Sequence, residues 1–341
     1  MIAERLTSQM LAGPRAKDAP AVARRLLAVQ AQDPRGARLA VRARSRCRGA
    51  ADVDRALSEE RSLVITWLNR GTLHLVCSED YPWLQALTTP PLLTGCTRRL
   101  AQEGVTPAGA DRGVATIERT LEQEGPLTRL QLRERIAAAG VRTEGQALVH
   151  LLMLACLRGI AVRGPMAGAQ HAYALVRDWL PAPKPVDRVA ALAELARRYL
   201  AGHGPADDRD LARWAGLPLR DARAGLQAIA GELRTRPDGL LDLAGRPRRA
   251  RELRPPALLG SFEPVLLGHR SRAWVIDPAR EREAINGGMF RPVAFVAGAA
   301  AGTWRTDGKR VELTPFRGLS RADEGALAAD GEEVVRWLGA R

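Results

Sequence analysis

Two glutamines one residue apart, Gln30 and Gln32, are the first candidates for chemistry in this sequence. Each side-chain amide offers an acceptor oxygen and two donor hydrogens, and it stays uncharged at every pH, so the pair could hold one water molecule by several hydrogen bonds. Residues i and i+2 share one side of an extended chain but not one face of a helix. The two amides can therefore point into one cleft only if the chain unwinds at Gln30. The alternative is that two polar residues simply finish a helix.

The segments around the pair are predicted to be helical. Apolar stripes indicate helices at residues 1–12 and 19–31, separated by Gly13-Pro14. The residue before a proline is pushed out of the helical region, so we expect the second helix to stop near Asp33. Residues 38–48 alternate apolar and arginine side chains, which is typical of an extended run with Arg42, Arg44 and Arg46 on one side.

The next segments predict a short helix and a hairpin. A helix is expected at residues 51–59, followed by β-rich runs at residues 63–68 and 72–76 that are hinged at residues 69–71. Arg70 lies in this hinge, and His74 lies on the second run. A histidine in such a position is either a contact to a site or a phosphate, or a structural side chain bonded to the backbone.

An internal repeat occupies the middle of the chain. Residues 114–164 and 186–243 each predict three helices followed by a short hairpin, with a Gly-Pro pair before the second helix. This order is typical of a winged helix, a helix-turn-helix variant with a β wing. The third helix of each repeat is the candidate recognition helix, at residues 144–157 and 219–229. The first of these is so apolar that burial is the alternative to reading a DNA groove.

The C-terminal part is predicted to be rich in strands. A basic, proline-bearing linker at residues 246–256 is followed by short strands between residues 257 and 313, with a hairpin turn at Asp307-Gly308. These strands predict a small antiparallel sheet or barrel. A helix at residues 321–338 closes the chain.

The charge points to a polyanionic partner. The sequence has 52 Lys and Arg against 38 Asp and Glu, a formal net charge of +14, and nearly all of the positive charge is arginine. A guanidinium group binds two phosphate oxygens at once, so nucleic acid is the first expectation. A GC-rich genome would explain arginine in place of lysine, but it would not explain the excess of basic over acidic residues.

Other classes of protein are disfavoured. The cysteines, Cys47, Cys77, Cys96 and Cys156, are scattered, with no CxxC pair and no histidine at ligand spacing. This pattern argues against a zinc site and a disulfide framework. No apolar leader and no run of membrane-spanning length is present, so we expect a cytoplasmic protein without a membrane partner.

Four segments together resemble the winged-helix DNA glycosylases of the AlkZ-like type. The segments span nearly the whole chain in order: Leu27-Ala28-Val29-Gln30-Ala31-Gln32-Asp33, Arg70-Gly71-Thr72-Leu73-His74-Leu75-Val76, Gly260-Ser261-Phe262-Glu263-Pro264-Val265-Leu266-Leu267-Gly268-His269-Arg270-Ser271-Arg272 and Ala301-Gly302-Thr303-Trp304-Arg305. The resemblance implies tandem winged helices followed by a β-barrel. It also implies excision of N7-alkylated purines, including bulky natural-product adducts, and in some members the unhooking of interstrand crosslinks.

The resemblance assigns catalysis to Gln30 and Gln32. A sister branch has Gln-x-Asp at these positions, so this sequence sides with the crosslink-repair branch. Glu263 departs from the aspartate that is common in the family. Asp33 is either an electrostatic aid to catalysis or an acid that ends a helix. His74 is a possible supporting residue, and the candidate DNA contacts are Arg42, Arg44, Arg70, His269, Arg270 and Arg272.

We therefore predict a mainly α member of the α+β class. The predicted domains are an N-terminal winged-helix-like unit at residues 1–112, winged helices at residues 113–183 and 184–247, and a C-terminal β-barrel with its closing helix at residues 248–341. We expect a monomeric, monofunctional DNA glycosylase without metal or cofactor. Its expected partner is double-stranded DNA that carries alkylated purines, which would keep it with the nucleoid.

Two other interpretations share the charge and the repeats. One is a winged-helix regulator, which would be dimeric, sequence-specific and indifferent to Gln30. The other is a self-resistance protein that sequesters alkylated DNA or the toxin without releasing a base. Release of N7-methylguanine from DNA, leaving abasic sites, would favour the glycosylase over both.

Overall fold

The chain packs as two units, and the sequence of one unit interrupts the sequence of the other. The structure, a computed structural model, describes residues 1–182, 185–246 and 252–339. Unit 1 comprises residues 1–53 and 189–341, and unit 2 comprises residues 54–188. Gln30 and Gln32 lie in unit 1, whereas Arg70 and His74 lie in unit 2.

The helices of the described part are numbered in chain order. They are α1 (Ile2–Ser8), α2 (Ala19–Leu26), α3 (Pro34–Arg42), α4 (Ala50–Ser58), α5 (Tyr81–Thr88), α6 (Pro90–Gln102), α7 (Pro107–Glu124), α8 (Arg129–Ala138), α9 (Ala147–Leu157), α10 (Val176–Trp179), α11 (Arg188–His203), α12 (Asp208–Ala215), α13 (Leu219–Ala228), α14 (Pro264–Leu267), α15 (Glu281–Ala284) and α16 (Arg321–Gly339).

The strands are short and antiparallel wherever their pairing is described. They are β1 (Val29–Gln30), β2 (Leu63–Leu68), β3 (Thr72–Cys77), β4 (Leu127–Thr128), β5 (Ala161–Ala167), β6 (Gln170–Leu175), β7 (Leu233–Thr235), β8 (Leu241–Leu243), β9 (Ala257–Leu259), β10 (Ile285–Asn286), β11 (Met289–Phe290), β12 (Val293–Val296), β13 (Ala299–Thr306) and β14 (Val311–Pro315).

Unit 2 is built on a sheet. Its strands lie in the order β3-β2-β5-β6-β4. Leu63 pairs with Cys77 and Leu68 with Thr72, so the predicted hinge is the turn of a β2–β3 hairpin. Both Arg70 and Gly71 have positive φ there, 51° and 76°, as a tight reversal requires. Every residue of β2 is buried, which fits its uninterrupted apolar sequence.

Both predicted repeats contain three helices and a hairpin. The first consists of α7, α8, α9 and the β5–β6 hairpin, and the second of α11, α12, α13 and the β7–β8 hairpin. The winged-helix identity of these segments stays a prediction. Helix α9, the first candidate recognition helix, is apolar almost all round, and most of it is buried in unit 2. A buried helix of this kind holds a core together rather than lying in a groove.

The C-terminal strands of unit 1 form an open sheet in the described part of the chain. Four strands lie in the order β14-β13-β12-β9, and α16 packs against β9 and β14. The core between them includes Leu258, Trp304, Leu327 and Val334. The β13–β14 turn falls at Asp307-Gly308 as predicted, where Lys309 N and Arg310 N both donate to the Asp307 carboxylate at 2.8 Å. The predicted closed barrel is not confirmed.

The predicted domain boundaries relate to these units in different ways. The boundary at 112/113 does not separate packed units, because Ile65 of β2 pairs with Arg163 of β5 in one sheet. The boundaries at 183/184 and 247/248, like most of the linker predicted at 246–256, involve residues outside the described ranges. No helix within those ranges is both long and apolar enough to span a membrane.

Candidate active site

The two glutamines lie on an extended loop between two helices. Asp18 caps the start of α2 by accepting a hydrogen bond from Ala21 N at 2.8 Å. The helix ends at Leu26, because Leu27 takes φ 66° and ψ −45°. A residue other than glycine at positive φ costs about 1–3 kcal/mol and persists only where its surroundings fix it. The chain therefore unwinds before Gln30, earlier than the predicted helix over residues 19–31.

The prediction that Asp33 ends a helix was wrong. Asp33 is extended, with φ −104° and ψ 116°, and its carboxylate accepts from Arg35 N at 2.9 Å as the cap that begins α3. Pro34 keeps Asp33 out of the helical region, as expected, but Pro34 itself begins the next helix. Proline is itself favoured in the first turn of a helix, where its missing N–H leaves no bond unmade.

Gln30 and Gln32 occupy different depths on this loop, which we call the Gln loop (residues 27–33). Gln30 ends β1 with 7% of its surface exposed, whereas Gln32 is exposed. Strand β1 stops at Gln30, and the backbone bends at Gln32 and Asp33. The pair therefore runs from the interior of unit 1 to its surface, where a substrate and a water molecule could meet two neutral amides.

The N-terminal end of the Gln loop is held by α11. The ring of His203 is completely buried, and its Nε2 lies 3.2 Å from Leu26 O. Because a carbonyl only accepts, Nε2 carries the proton, and Nδ1 accepts from the Gln9 side chain at 3.2 Å. Gly202 lies so close that a Cβ on it would be 2.4 Å from Arg25 O. The last turn of α2 is thus fixed from outside.

The C-terminal end of the Gln loop is held by the segment after β9. Ser261 Oγ donates to the second carboxylate oxygen of Asp33. A Cβ on Gly36 would lie 2.4 Å from Ser261 O, and one on Gly260 would lie 2.8 Å from the Cα of Gly36. Only glycines allow the two backbones to approach so closely. The sequence motif that begins at Gly260 therefore packs directly on the start of α3.

Arg44 and Glu263 form a buried ion pair, which corrects the prediction that Arg44 contacts DNA. Both side chains are 0% exposed, and Arg44 Nη2 donates to Glu263 Oε1. Arg44 also donates to Gln9 O at 2.7 Å and to Ala40 O at 3.0 Å. Glu263 thus has a structural role as the buried partner of Arg44. A side chain with no exposed surface cannot reach a phosphate.

Arg42 is also corrected. Residues 38–42 of the predicted extended run belong to helix α3, and Arg42 is the last residue of that helix. Its guanidinium lies 2.6 Å from Asp330 and 3.4 Å from Glu333 of α16, with only 5% of the side chain exposed. Arg42 therefore ties α3 to α16 instead of facing a phosphate backbone.

Of the three basic candidates after α14, only Arg270 remains substantially exposed. His269 is buried against Trp274, and its Nε2 donates to His203 O at 2.9 Å. Burial, reinforced by the nearby charge of Arg5, lowers the pKa of His269 well below its usual range, so this ring is neutral. Arg272 donates to Leu266 O and pairs with Glu281. His269 is therefore too buried to contact a phosphate, whereas a phosphate contact by Arg272, whose side chain is 20% exposed, stays a prediction.

Arg270 can still meet a phosphate. Its side chain is 48% exposed and lies 3.7–3.8 Å from carboxylate oxygens of Asp207 and Asp210. Such long, half-exposed ion pairs contribute little to stability, so they yield readily to another anion.

His74 is a buried residue of unit 2. It stands on β3 opposite Thr66, and its Nδ1 donates to Thr72 O at 2.9 Å. Burial, together with the positive charge of Arg70, lowers the pKa of His74 to about 3. The ring is therefore uncharged at neutral pH, which fits the backbone-bonded alternative better than an ionic contact to phosphate.

Among the residues that the structure describes, the thiols and carboxylates close enough to share a metal ion lie in unit 2. All four cysteines lie in described segments, and none forms a disulfide. Among the described residues, Cys77, Glu79 and Asp80 of unit 2 are the group whose possible ligand atoms lie within 4.8 Å of one another. Cys77 is buried and Glu79 exposed. Asp80 is buried as well, and exposed acidic groups such as Glu79 are common without an ion, so we assign no metal site.

The sequence did not identify the residues that anchor the Gln loop. Gln9, His203 and Ser261 carry no motif that indicates contact with residues 27–33, and Asp33 and Ser261 are 228 positions apart. The available signal was the Gly260-Ser261 pair, because glycine beside a polar residue often marks a close backbone approach.

Comparison with known proteins gives a consistent result. The family described as "DNA glycosylase AlkZ-like" matches residues 23–337. A relative from Streptomyces sahachiroi named "Interstrand DNA cross-link repair glycosylase" is 28% identical, over 99% of this chain and 96% of its own. The solved structure of the Streptomyces sahachiroi DNA glycosylase AlkZ superposes with a TM-score of 0.78 at 26% identity, covering 99% of this chain and 95% of that one.

Proposed function

The chain belongs to the AlkZ-like DNA glycosylase family, and on this basis we propose that it hydrolyses the N-glycosidic bond of N7-alkylated purines in double-stranded DNA. Gln30 and Gln32 would position the attacking water. The observation that carries the proposal is the Gln loop: an extended, doubly anchored segment on which one amide is buried and the next is exposed. A pair that merely finished a helix would have no such support.

The chemistry explains why two amides can suffice. Cleavage of a glycosidic bond develops positive charge on the sugar. Most enzymes that break such bonds need an acid to protonate the leaving group, but an N7-alkylpurine is already cationic and leaves as a neutral base. The protein then has to place a water molecule on the sugar carbon and exclude competing geometries. Two amides that hold one water can do this without a change in their own protonation, and the proton that the water loses on attack passes to the surrounding solvent.

Interstrand crosslinks and bulky antibiotic adducts are the proposed biological substrates. The name of the Streptomyces sahachiroi relative supports crosslinks, since it describes a crosslink repair glycosylase. The net charge of +14 supports binding to the phosphate backbone, with exposed arginines such as Arg270 contributing. A role in self-resistance would require that the gene lie beside genes for a DNA-alkylating antibiotic.

The proposal is tested by single-turnover release of N7-methylguanine from duplex DNA. We expect Gln30→Ala and Gln32→Ala each to lower the rate by about ten- to a hundredfold, since each lost hydrogen bond to the water contributes about 1–3 kcal/mol. The increase in activation free energy in the double variant should be smaller than the sum of the increases in the two single variants, because both amides hold the same water. Gln123→Ala, an exposed glutamine on α7, is the matched control and should react at the wild-type rate.

Affinity and melting temperature are measured on the same variants. Binding should survive in all of them, and its log–log salt slope should be about −0.9 per phosphate contacted. A double variant that excises at the wild-type rate would place catalysis elsewhere. A wild-type protein that binds alkylated DNA without releasing base would favour the sequestering protein, and a palindromic consensus that is retained at high salt would favour the regulator.

A further inference from the structure

We propose that Ser261 is a positioning residue for Gln32 and that it acts through Asp33. This inference rests on the proposed function and adds to it. It also assigns Asp33 a role: its carboxylate serves as a hydrogen-bond acceptor that fixes the end of the Gln loop, and its negative charge is not what catalysis uses.

Both carboxylate oxygens of Asp33 are engaged within unit 1. Oδ1 accepts from Arg35 N at 2.9 Å, and Oδ2 accepts from Ser261 Oγ. The first bond sets the direction in which α3 leaves the loop. The second joins the loop to a segment far along the chain. A carboxylate oriented by these two donors is held in place beside Gln32, to which it is joined by a single peptide bond.

Ser261 can act as an anchor because its own segment is fixed. Its side chain is buried, and its backbone is pressed against Gly36 by the glycine–glycine approach described above. Two residues later Glu263 is held by Arg44, with both side chains wholly buried. The contacts at Ser261, Gly260 and Glu263 therefore join one short segment to α3 and its flanks. A hydrogen bond from such a platform restricts Asp33, and so restricts the residue before it.

Positioning on this scale matters for a water-holding amide. A displacement of about 1 Å at a reacting centre can lower a rate by about a hundredfold. Gln32 is exposed and lies near the end of the loop, directly before Asp33 in the chain. Its placement depends on the backbone at Asp33, which the cap and Ser261 define together.

The test is single-turnover release of N7-methylguanine by Ser261→Ala, Asp33→Ala and Asp33→Asn. We expect the two alanine variants to be at least tenfold slower than wild type with unchanged DNA affinity. Asp33→Asn should keep the rate within about threefold, because the amide oxygen accepts from Arg35 N and the amide nitrogen donates to Ser261 Oγ. If Asp33→Asn is as slow as Asp33→Ala, the charge is required and the inference is overturned.

A matched control separates positioning from loss of stability. Asp18→Ala removes the corresponding cap of α2, where the carboxylate accepts from Ala21 N at 2.8 Å. It should lower the melting temperature about as much as Asp33→Ala does and leave the rate unchanged. An equal loss of rate in Asp18→Ala would mean that the effect follows stability, and this would also overturn the inference.

Coupling to Gln32 is the decisive measurement. If Ser261 acts through Gln32, then adding Ser261→Ala to the Gln32→Ala variant should lower its excision rate by less than threefold. Amide hydrogen exchange of residues 28–33 should also be at least tenfold faster in Ser261→Ala than in wild type. The inference is contradicted if the rate losses of the two single variants multiply fully in the double variant. It is also contradicted if amide hydrogen exchange is faster in Ser261→Ala but base excision is not slower. Either result leaves the proposed function intact. A wild-type protein that releases no base refutes the proposed function and, with it, this role of Ser261.

Discussion

Removing one partner of the Arg44–Glu263 pair should destabilise unit 1 strongly without weakening DNA binding. Neither side chain has exposed surface, so no water screens the charge that would remain. We consider Arg44→Met, which leaves the Glu263 carboxylate without its arginine, and Glu263→Gln, which keeps an acceptor oxygen but leaves the Arg44 charge without a counter-charge at this position. The same perturbation tests the reassignment of Arg44 from DNA contact to interior.

The expected magnitude follows from burial. Removing one partner of a buried ion pair costs about 3–5 kcal/mol, because an uncompensated charge remains in the interior. The double variant Arg44→Met with Glu263→Gln leaves no charge there. It should therefore cost little more than one single substitution, and the coupling energy should be about 3 kcal/mol.

An exposed pair provides the control. Arg305 and Glu312 lie 2.6 Å apart, but their side chains are 80% and 64% exposed. Substituting either one should change the free energy of unfolding by less than about 1 kcal/mol. Burial is then the variable that separates the two pairs.

The measurements are urea unfolding, followed by circular dichroism, and DNA affinity of the folded variants. We expect Arg44→Met to lower the free energy of unfolding and to bind DNA as wild type does. The reasoning is refuted if Arg44→Met unfolds within about 1 kcal/mol of wild type, or if it binds DNA markedly more weakly while remaining folded.

Three further predictions concern other parts of the chain. The pKa of His74 is about 3 in the folded protein and near 6.5 in the unfolded chain. Between these two pH values the unfolded chain binds the proton more readily, so the contribution of His74 to the free energy of unfolding is fully present above pH 6.5 and is lost as the pH falls toward 3. The loss of unfolding free energy between pH 7 and pH 5 should thus be about 2 kcal/mol smaller in His74→Gln than in wild type, and equal losses would contradict the burial of this ring. Gly202→Ala should cost about 1–3 kcal/mol and slow base excision, because the added Cβ meets Arg25 O at 2.4 Å, whereas Gly325→Ala on α16 has open space and should not destabilise the fold. The sequence has no clustered Cys and His ligands, so a chelator should leave excision intact. No lysine occurs between Lys17 and Lys184 to form a Schiff base near the Gln pair, so borohydride should trap no protein–DNA adduct, and a trapped adduct would reveal a lyase.

Local signals predicted much of the secondary structure. The β2–β3 hairpin, its turn at residues 69–71 and both three-helix segments with their hairpins follow from apolar periodicity and from Gly-Pro pairs. These signals act between neighbours in sequence, so they need no knowledge of the fold. The unwinding before Gln30 was foreseen only as a condition. Positive φ at Leu27 is imposed by packing, and leucine gives no local indication of it.

Burial of the arginines and histidines could not be predicted in the same way. Arg42 looks like a phosphate ligand in sequence, but its partner Asp330 lies 288 positions away. His269 likewise stands among basic residues, and its environment is set by His203 and Trp274. A charged side chain is interior or exposed according to contacts between distant segments. Composition predicts how much charge the surface carries, but not which residues carry it.

The division of unit 1 into two stretches of sequence affects how the protein is made. Asp33 leaves the ribosome 228 residues before Ser261, an interval of roughly 10–45 s at typical rates of synthesis. Unit 2 is continuous and can fold during this interval, whereas the Gln loop has neither its serine nor its histidine anchor until α11 and β9 have followed. A nascent or prematurely terminated chain that ends before residue 203 therefore carries both glutamines but neither anchor, and one that ends before residue 261 still lacks the serine anchor. Under the proposed function, a half-made chain of this kind would bind DNA without excising bases.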